Sequence, residues 1–314
     1  MASVPPAARA FSPLDEQLAL LPGRLTPHLH EGLVRLATWM PFAQAAEVLA
    51  LFTGVQLSPA TVRRRTEAAG AVAVALETAE AERILHECPV PPPGPSRLVF
   101  SADGAMVPLR HGEWAEVRTL AVGEPHVPGP DGTVQTHTLS YFSRLTDADT
   151  FGRLALSEVA RRGVLTAPQV AAVMDGAEWL QGFIDLHCQR AVRILDFAHA
   201  AQRIAEIGQA MWGEGSPAAQ QWTAEQLHTL KHTGPTPVLT VLQSLRAQQP
   251  ELDGLATNLA YLKKRIAQLD YPRFQAAGWP IGSGMVESGN KVVVEARGHP
   301  LGEGRGDALG ARAG

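Results

Sequence analysis

Cysteine is nearly absent: 314 residues hold two, Cys88 and Cys188. Two thiols exclude a cysteine-built metal centre and do not make a disulfide framework. Long apolar runs are missing too, and none approaches the roughly 20 residues that span a bilayer. The opening "MASVPPAARAFSPLDEQ" lacks the basic start and apolar stretch of a signal peptide. No strong excess of either charge exists: the net charge of −4 argues against a protein coated in nucleic acid, though not against local basic surfaces. These absences lead to an expectation of a cytoplasmic protein with no membrane partner. What is present, 45% hydrophobic and 18% charged residues, is a globular composition. The length suits one large or two modest domains.

The first 21 residues read as a disordered or truncated terminus. Residues 22–87 read as a helical module. "LHEGLVRLATWM" sets Leu29, Leu33, Leu36 and Met40 on one helix face. "PFAQAAEVLALFTG" follows, with Pro41 suited to a helix start and Gly54 to a helix end. A third helix begins after Ser58-Pro59, a capping residue followed by proline at the first helical position. It carries Arg63, Arg64 and Arg65 near its start. Helix, tight turn and a helix with basic residues at its N-terminus is the layout of a helix-turn-helix. A plain helical hairpin with a solvated basic face fits the same residues. A second basic cluster, Lys263, Lys264 and Arg265 in "YLKKRIAQL", allows the same two readings.

"CPVPPPGPSR", residues 88–97, reads as a stiff linker because consecutive prolines suit neither helix nor central strand. Residues 98–215 then change pattern. "LVFSADGAMVPLR", "WAEVRTLAVGE" and "THTLSYFSRL" alternate and are β-rich, predicting three strands in a meander. Helix, strand, helix, strand and helix follow, the strands being "QVAAVM" and "AVRIL". The predicted fold class is α/β, a mixed sheet with helices packed on it. Residues 216–277 read as all-helical, and residues 278–297 as a turn and a further helix. No internal repeat is visible.

Three of the strands carry an aspartate: Asp103 in "VFSADG", Asp175 in "AVMDG" and Asp196 in "RILDF". Asp-Gly is also turn chemistry, and Asp103-Gly104 suits a hairpin corner. Three acids in one sheet nonetheless suggest convergence. Converged carboxylates repel and are costly to bury, and a hard divalent cation relieves both costs. Mg²⁺ takes a couple of carboxylates plus waters and phosphate oxygens, and two ions about 3.5–4 Å apart serve phosphodiester chemistry. Glu287 in "GSGMVESGNK" is the outlying acid that such a site needs. It also fits an ordinary role, as a first-turn acid after Ser283 and in an ion-pair ladder with Lys291 and Glu295.

In this order, Asp103, Asp175, "DFAHA", a helical block and "GSGMVES" resemble bacterial insertion-sequence transposases of the DDE type. The likeness is to the branch related to Mutator-like elements, and it extends from about Leu21 to Arg297. It implies an RNase H-like catalytic domain interrupted by an all-helical insertion. It also implies a Mg²⁺- or Mn²⁺-dependent enzyme that hydrolyses a phosphodiester at element ends and joins the freed 3′-hydroxyl to target DNA. Carried over, Asp103, Asp175 and Glu287 hold the metal. Asp196 and His199 match the Asp-or-Cys, two residues, His pattern and orient the scissile strand. Arg63, Arg64 and Arg65, with Lys263, Lys264 and Arg265, meet double-stranded DNA. Trp179 and Trp279 read as core, with base stacking as the other role open to them. The resemblance further implies a nucleoid-associated protein that is a homo-oligomer when active. Two departures stand out. No Cys-rich stretch precedes the helical module. After Arg297 the chain runs into Gly298–Gly314, with six glycines in 17 residues, which reads as a disordered, out-of-frame or eroded tail. A DNA-binding remnant without catalysis is the alternative reading, and an RNase H-like nuclease unrelated to transposition is a third.

Overall fold

The computed structural model describes residues 25–108, 112–126 and 134–291. The expected N-terminal segment 1–21, Glu295 and the tail 298–314 lie outside the described residues. The chain divides into two compact units, Met1–Ala79 and Glu80–Gly314.

In the first unit, α1 (Pro27–Trp39) starts where the Thr26 hydroxyl accepts from the Leu29 amide at 3.3 Å. Helix α2 (Phe42–Thr53) ends at Gly54, whose φ of 71° favours glycine. Helix α3 (Pro59–Glu87) begins where Ser58 Oγ accepts from the Thr61 amide at 3.2 Å. Leu33, Ala37, Ala45, Ala46, Leu49 and Val62 form the small core of this unit.

The second unit is a mixed α/β structure. Its strands are β1 (Arg97–Pro108), β2 (Trp114–Pro125), β3 (Thr136–Leu145), β4 (Gln169–Met174) and β5 (Val192–Leu195). The sheet order is β3-β2-β1-β4-β5. The first three strands pair antiparallel, while β1–β4 and β4–β5 are parallel. The meander followed by alternation is therefore present as the sequence predicts. The Pro-rich stretch before β1 is docked: the Gly94 amide donates to Thr166 Oγ1 at 2.8 Å, and that hydroxyl donates to the Pro92 carbonyl at 2.6 Å. It runs within the second unit, where the sequence suggests a linker between domains.

Strand alternation sorts the side chains onto two faces. Leu98, Phe100, Ala102, Ala172 and Met174 point to one face, which α4 (Ala148–Arg161) and α5 (Glu178–Cys188) cover with Phe151, Val159, Phe183 and Ile184. Val99, Ala171, Val173 and Ile194 point to the other. There the cover is α6 (Phe197–Trp212), α7 (Pro217–His232), α8 (Pro235–Gln248), α9 (Leu255–Lys264) and α10 (Tyr271–Ala276), joined by the buried Trp279, Met285 and Val286. A single 3-10 turn, Ile266–Gln268, follows α9. The last helix, α11 (Gly284–Gly289), lies against β1, β2 and β3. Among the described residues no helix is long and apolar enough to cross a membrane.

Candidate functional site

The sheet register aligns the three aspartates. In the parallel pair of β1 and β4, Phe100 stands opposite Ala172, an offset of 72 residues; extended three residues, it sets Asp103 beside Asp175. In β4 and β5, Met174 stands opposite Leu195, an offset of 21; extended one residue, it sets Asp175 beside Asp196. Adjacent strands lie about 4.8 Å apart, so the row is compact. Parity gives its direction. Asp103 follows Val99 by four residues, Asp175 follows Val173 by two, and Asp196 follows Ile194 by two. All three therefore belong to the face that α6–α11 cover.

Asp103 is not at a hairpin corner. It lies inside β1, opposite Thr119 of β2, and the strand continues to Pro108. The local turn reading of Asp103-Gly104 is thereby corrected: the alternating pattern of "MVP" extends the strand past the glycine. Burial pushes the Asp103 carboxyl above its ordinary pKa, and the Gly104 backbone N–H, at 2.8 Å, partly offsets this. Asp175 pushes it further up, His199 pulls it down, and Glu287 pushes it up again. Asp103 thus feels all three neighbours electrostatically. Asn290, just past α11, donates from Nδ2 to Asp103 Oδ2 at 3.0 Å.

Asp175 is half-buried at the end of β4, where its Oδ1 accepts from the Ala177 amide at 2.7 Å. Glu287 is exposed, and its Oε1 faces the Ser283 hydroxyl at 3.4 Å. Ser283 does not cap the helix through its side chain. The helix lies close to the sheet because position 289 is glycine: a Cβ there would sit 2.6 Å from Cδ1 of Tyr141.

Asp196 has a different occupation. It is 1% exposed and caps α6, with Oδ1 accepting from the Ala198 amide at 2.6 Å and more weakly from the His199 amide at 3.4 Å. Its Oδ2 accepts from the Ser283 amide at 2.5 Å. The Phe197 amide adds a bond to the Ile281 carbonyl at 2.9 Å. Asp196 therefore pins the turn that precedes Glu287, a tie across 87 residues of sequence. The resemblance assigns Asp196 to strand orientation; both its oxygens accept from backbone amides. Arg97 braces the same turn, donating to the Ala277 carbonyl at 2.6 Å and stacking 4.0 Å over the buried Trp279. Trp179 packs edge-on against Phe151 and Phe183.

The basic residues divide. Arg63 and Arg64 are exposed, with Arg63 3.7 Å from Glu67; Arg65 is half-buried. Lys263 is exposed, and Lys264 is 2.7 Å from Glu178. Arg265 departs from the expected basic face: it is 5% exposed, and its guanidinium donates to the Gly176 carbonyl beside Asp175. The sequence held a signal for this. Buried Leu255, Leu259 and Leu262 recur at helical spacing, and Arg265 falls three residues further along the same stripe. Tyr261 and Asn290 are the neighbours of the site that the sequence reading missed, and Arg265 is a neighbour that it assigned to DNA contact.

The donor set, three carboxylates from three elements, is hard and all-oxygen, and no salt bridge reaches any of them among the described residues. That chemistry fits Mg²⁺ or Mn²⁺. As placed, however, no three His, Cys, Asp or Glu side chains among the described residues gather closely enough to hold an ion. Glu287 is exposed, and its side chain has the long Ser283 contact. In comparisons with known proteins, no family model matches the chain and no curated protein matches it.

Proposed function

We propose that the second unit is an RNase H-like catalytic domain of a DDE transposase, with Asp103, Asp175 and Glu287 as its metal-holding acids. The observation that carries this reading is the row of aspartates at one level of one sheet face, with a fourth acid from the chain's last described helix on that face. The all-helical stretch between β5 and Glu287 covers that same face and fits the insertion of the resembled branch.

Divalent cations, when bound, would supply the charge that activates an attacking oxygen and stabilises a leaving one at a phosphodiester. The chain's own residues do the rest. Asp103 presents its oxygens from a backbone held in the sheet ladder, and Asp175 does so from the turn that directly follows β4. Asp196 holds the Ser283 turn and with it the approach of Glu287. His199 is close enough to lower the Asp103 pKa, and in this reading it contacts a phosphate or the scissile strand. In this reading Arg63, Arg64 and Arg65 of α3 meet element-end DNA, and the active form is a multimer on paired ends.

The assay is Mg²⁺-dependent cleavage and strand transfer on duplexes carrying the element's ends, with Asp103→Ala as the control. Cleavage abolished by that substitution is expected; activity that survives it would sink the assignment. One observation favours the alternative, a DNA-binding remnant without catalysis: the acids do not gather into a three-ligand group as placed. End-specific binding without cleavage, lost on neutralising Arg63–Arg65, would establish that reading instead.

A further inference from the structure

A guanidinium costs much to take out of water, and buried ones persist where their N–H groups and ring face are used. Arg265 is such a group, and its partners surround the residue next to Asp175. Its Nη2 donates to the Gly176 carbonyl and reaches Glu178 Oε1 at 3.4 Å, and its Nη1 is 3.5 Å from the Tyr261 carbonyl. The guanidinium carbon lies 4.1 Å from the Tyr261 ring centre, and Arg203 stacks on that ring at 4.8 Å. The Tyr261 hydroxyl closes the other side of the turn. Burial raises its pKa, Arg265 lowers it and Asp175 raises it again, so the phenol lies within electrostatic reach of the Asp175 carboxylate. No side chain fits at position 176: a Cβ there would collide with both the Tyr261 hydroxyl and Arg265 Nε.

The β4–α5 turn is thus held from two sides. Asp175 accepts from the Ala177 amide within the turn, but the turn itself is seated in a cradle built some 90 residues later in sequence. Lys264 extends the tie through Glu178 at 2.7 Å, and Gln268 bonds Gln181 at 3.1 Å further along α5.

We infer that Arg265 and Tyr261 are positioning residues: through the Gly176 turn, the helical block fixes the direction in which Asp175 presents its carboxylate to a divalent cation. This rests on the cation site proposed above. On this account the helical block does more than cover the sheet, because the geometry of the second acid depends on it.

The test is Mn²⁺ affinity of the full chain, measured by electron paramagnetic resonance of free Mn²⁺. The variants are Arg265→Met, Arg265→Lys, Gly176→Ala and, as a control for general loosening, Leu242→Ala, which opens the buried core of the helical block. Arg265→Met and Gly176→Ala are expected to weaken Mn²⁺ binding about tenfold or more, a change of about 1.4 kcal/mol. Arg265→Lys, which keeps a donor for the Gly176 carbonyl but loses the fork and the stacking plane, should fall between. Leu242→Ala should bind Mn²⁺ as the parent does despite lower stability. Parent-like affinity in Arg265→Met overturns the inference, as does an equal loss in Leu242→Ala. A parent chain that binds no Mn²⁺ removes the cation site itself, and the positioning role falls with it.

Discussion

Asp196→Ala probes the joint that places Glu287, and its cost can be worked from the structure. The substitution removes the α6 cap, worth about 1 kcal/mol. It also removes a charge-assisted bond to the Ser283 amide, worth about 1.5–3 kcal/mol, and leaves that amide unpartnered in a buried turn. The sum is about 2.5–4 kcal/mol, a large share of the roughly 5–15 kcal/mol that holds a domain folded. Asp196→Asn keeps the capping oxygen on Ala198 but turns an amide donor toward Ser283, so it should cost about 2 kcal/mol. Urea unfolding followed by tryptophan fluorescence, with a chelator present so that no metal contributes, measures both. Hydrogen exchange at the Ser283 amide should accelerate in the Asn variant before global stability collapses. A loss below about 1 kcal/mol for the alanine variant would refute the pinning role and leave Asp196 with the strand-orienting role that the resemblance implies.

His187 is buried on α5 against Phe183 at 4.4 Å between ring centres; neither ring nitrogen has a hydrogen-bond partner, and burial pushes its pKa down to about 4 despite the nearby Gly152 backbone. An unfolded histidine near 6.5 binds protons that the folded one refuses, so stability is full above about pH 6.5 and falls by about 3 kcal/mol as pH drops to 4; His187→Phe should flatten that part of the curve in denaturant titrations. Asp103, raised by burial and by two acids, strains the metal-free fold at neutral pH, so Asp103→Asn should melt higher than the parent in chelator and lose the Mn²⁺-induced rise in Tm. Gly289→Ala must push α11 off the Tyr141 ring and should cost about 1–3 kcal/mol in thermal or urea unfolding.

Much of this arrangement was legible in the sequence, for identifiable reasons. Alternation and β-branched residues marked the first three strands, short apolar runs marked β4 and β5, and acids at strand ends marked Asp103, Asp175 and Asp196. What remained hidden depends on contacts between segments far apart in the chain. Gly104 looked like a corner because Asp-Gly is local turn chemistry, while the ten-residue ladder with β2 that overrides it is a tertiary fact. Nothing local to Asp196 reveals the Ser283 amide that bonds its second oxygen. Lys263, Lys264 and Arg265 read as one basic face, yet the helix ends at Lys264 and the third member turns into the core. Residues that coordinate backbone rather than each other leave the weakest trace in a single sequence.

The central claim is that Asp103, Asp175 and Glu287 share divalent ions, and anomalous diffraction from crystals grown with Mn²⁺ addresses it without a DNA substrate. The account predicts a peak between the β1 and β4 carboxylates, with Glu287 turned inward from its exposed position. Crystals saturated with Mn²⁺ that show no peak there, or one held by other residues, would contradict it.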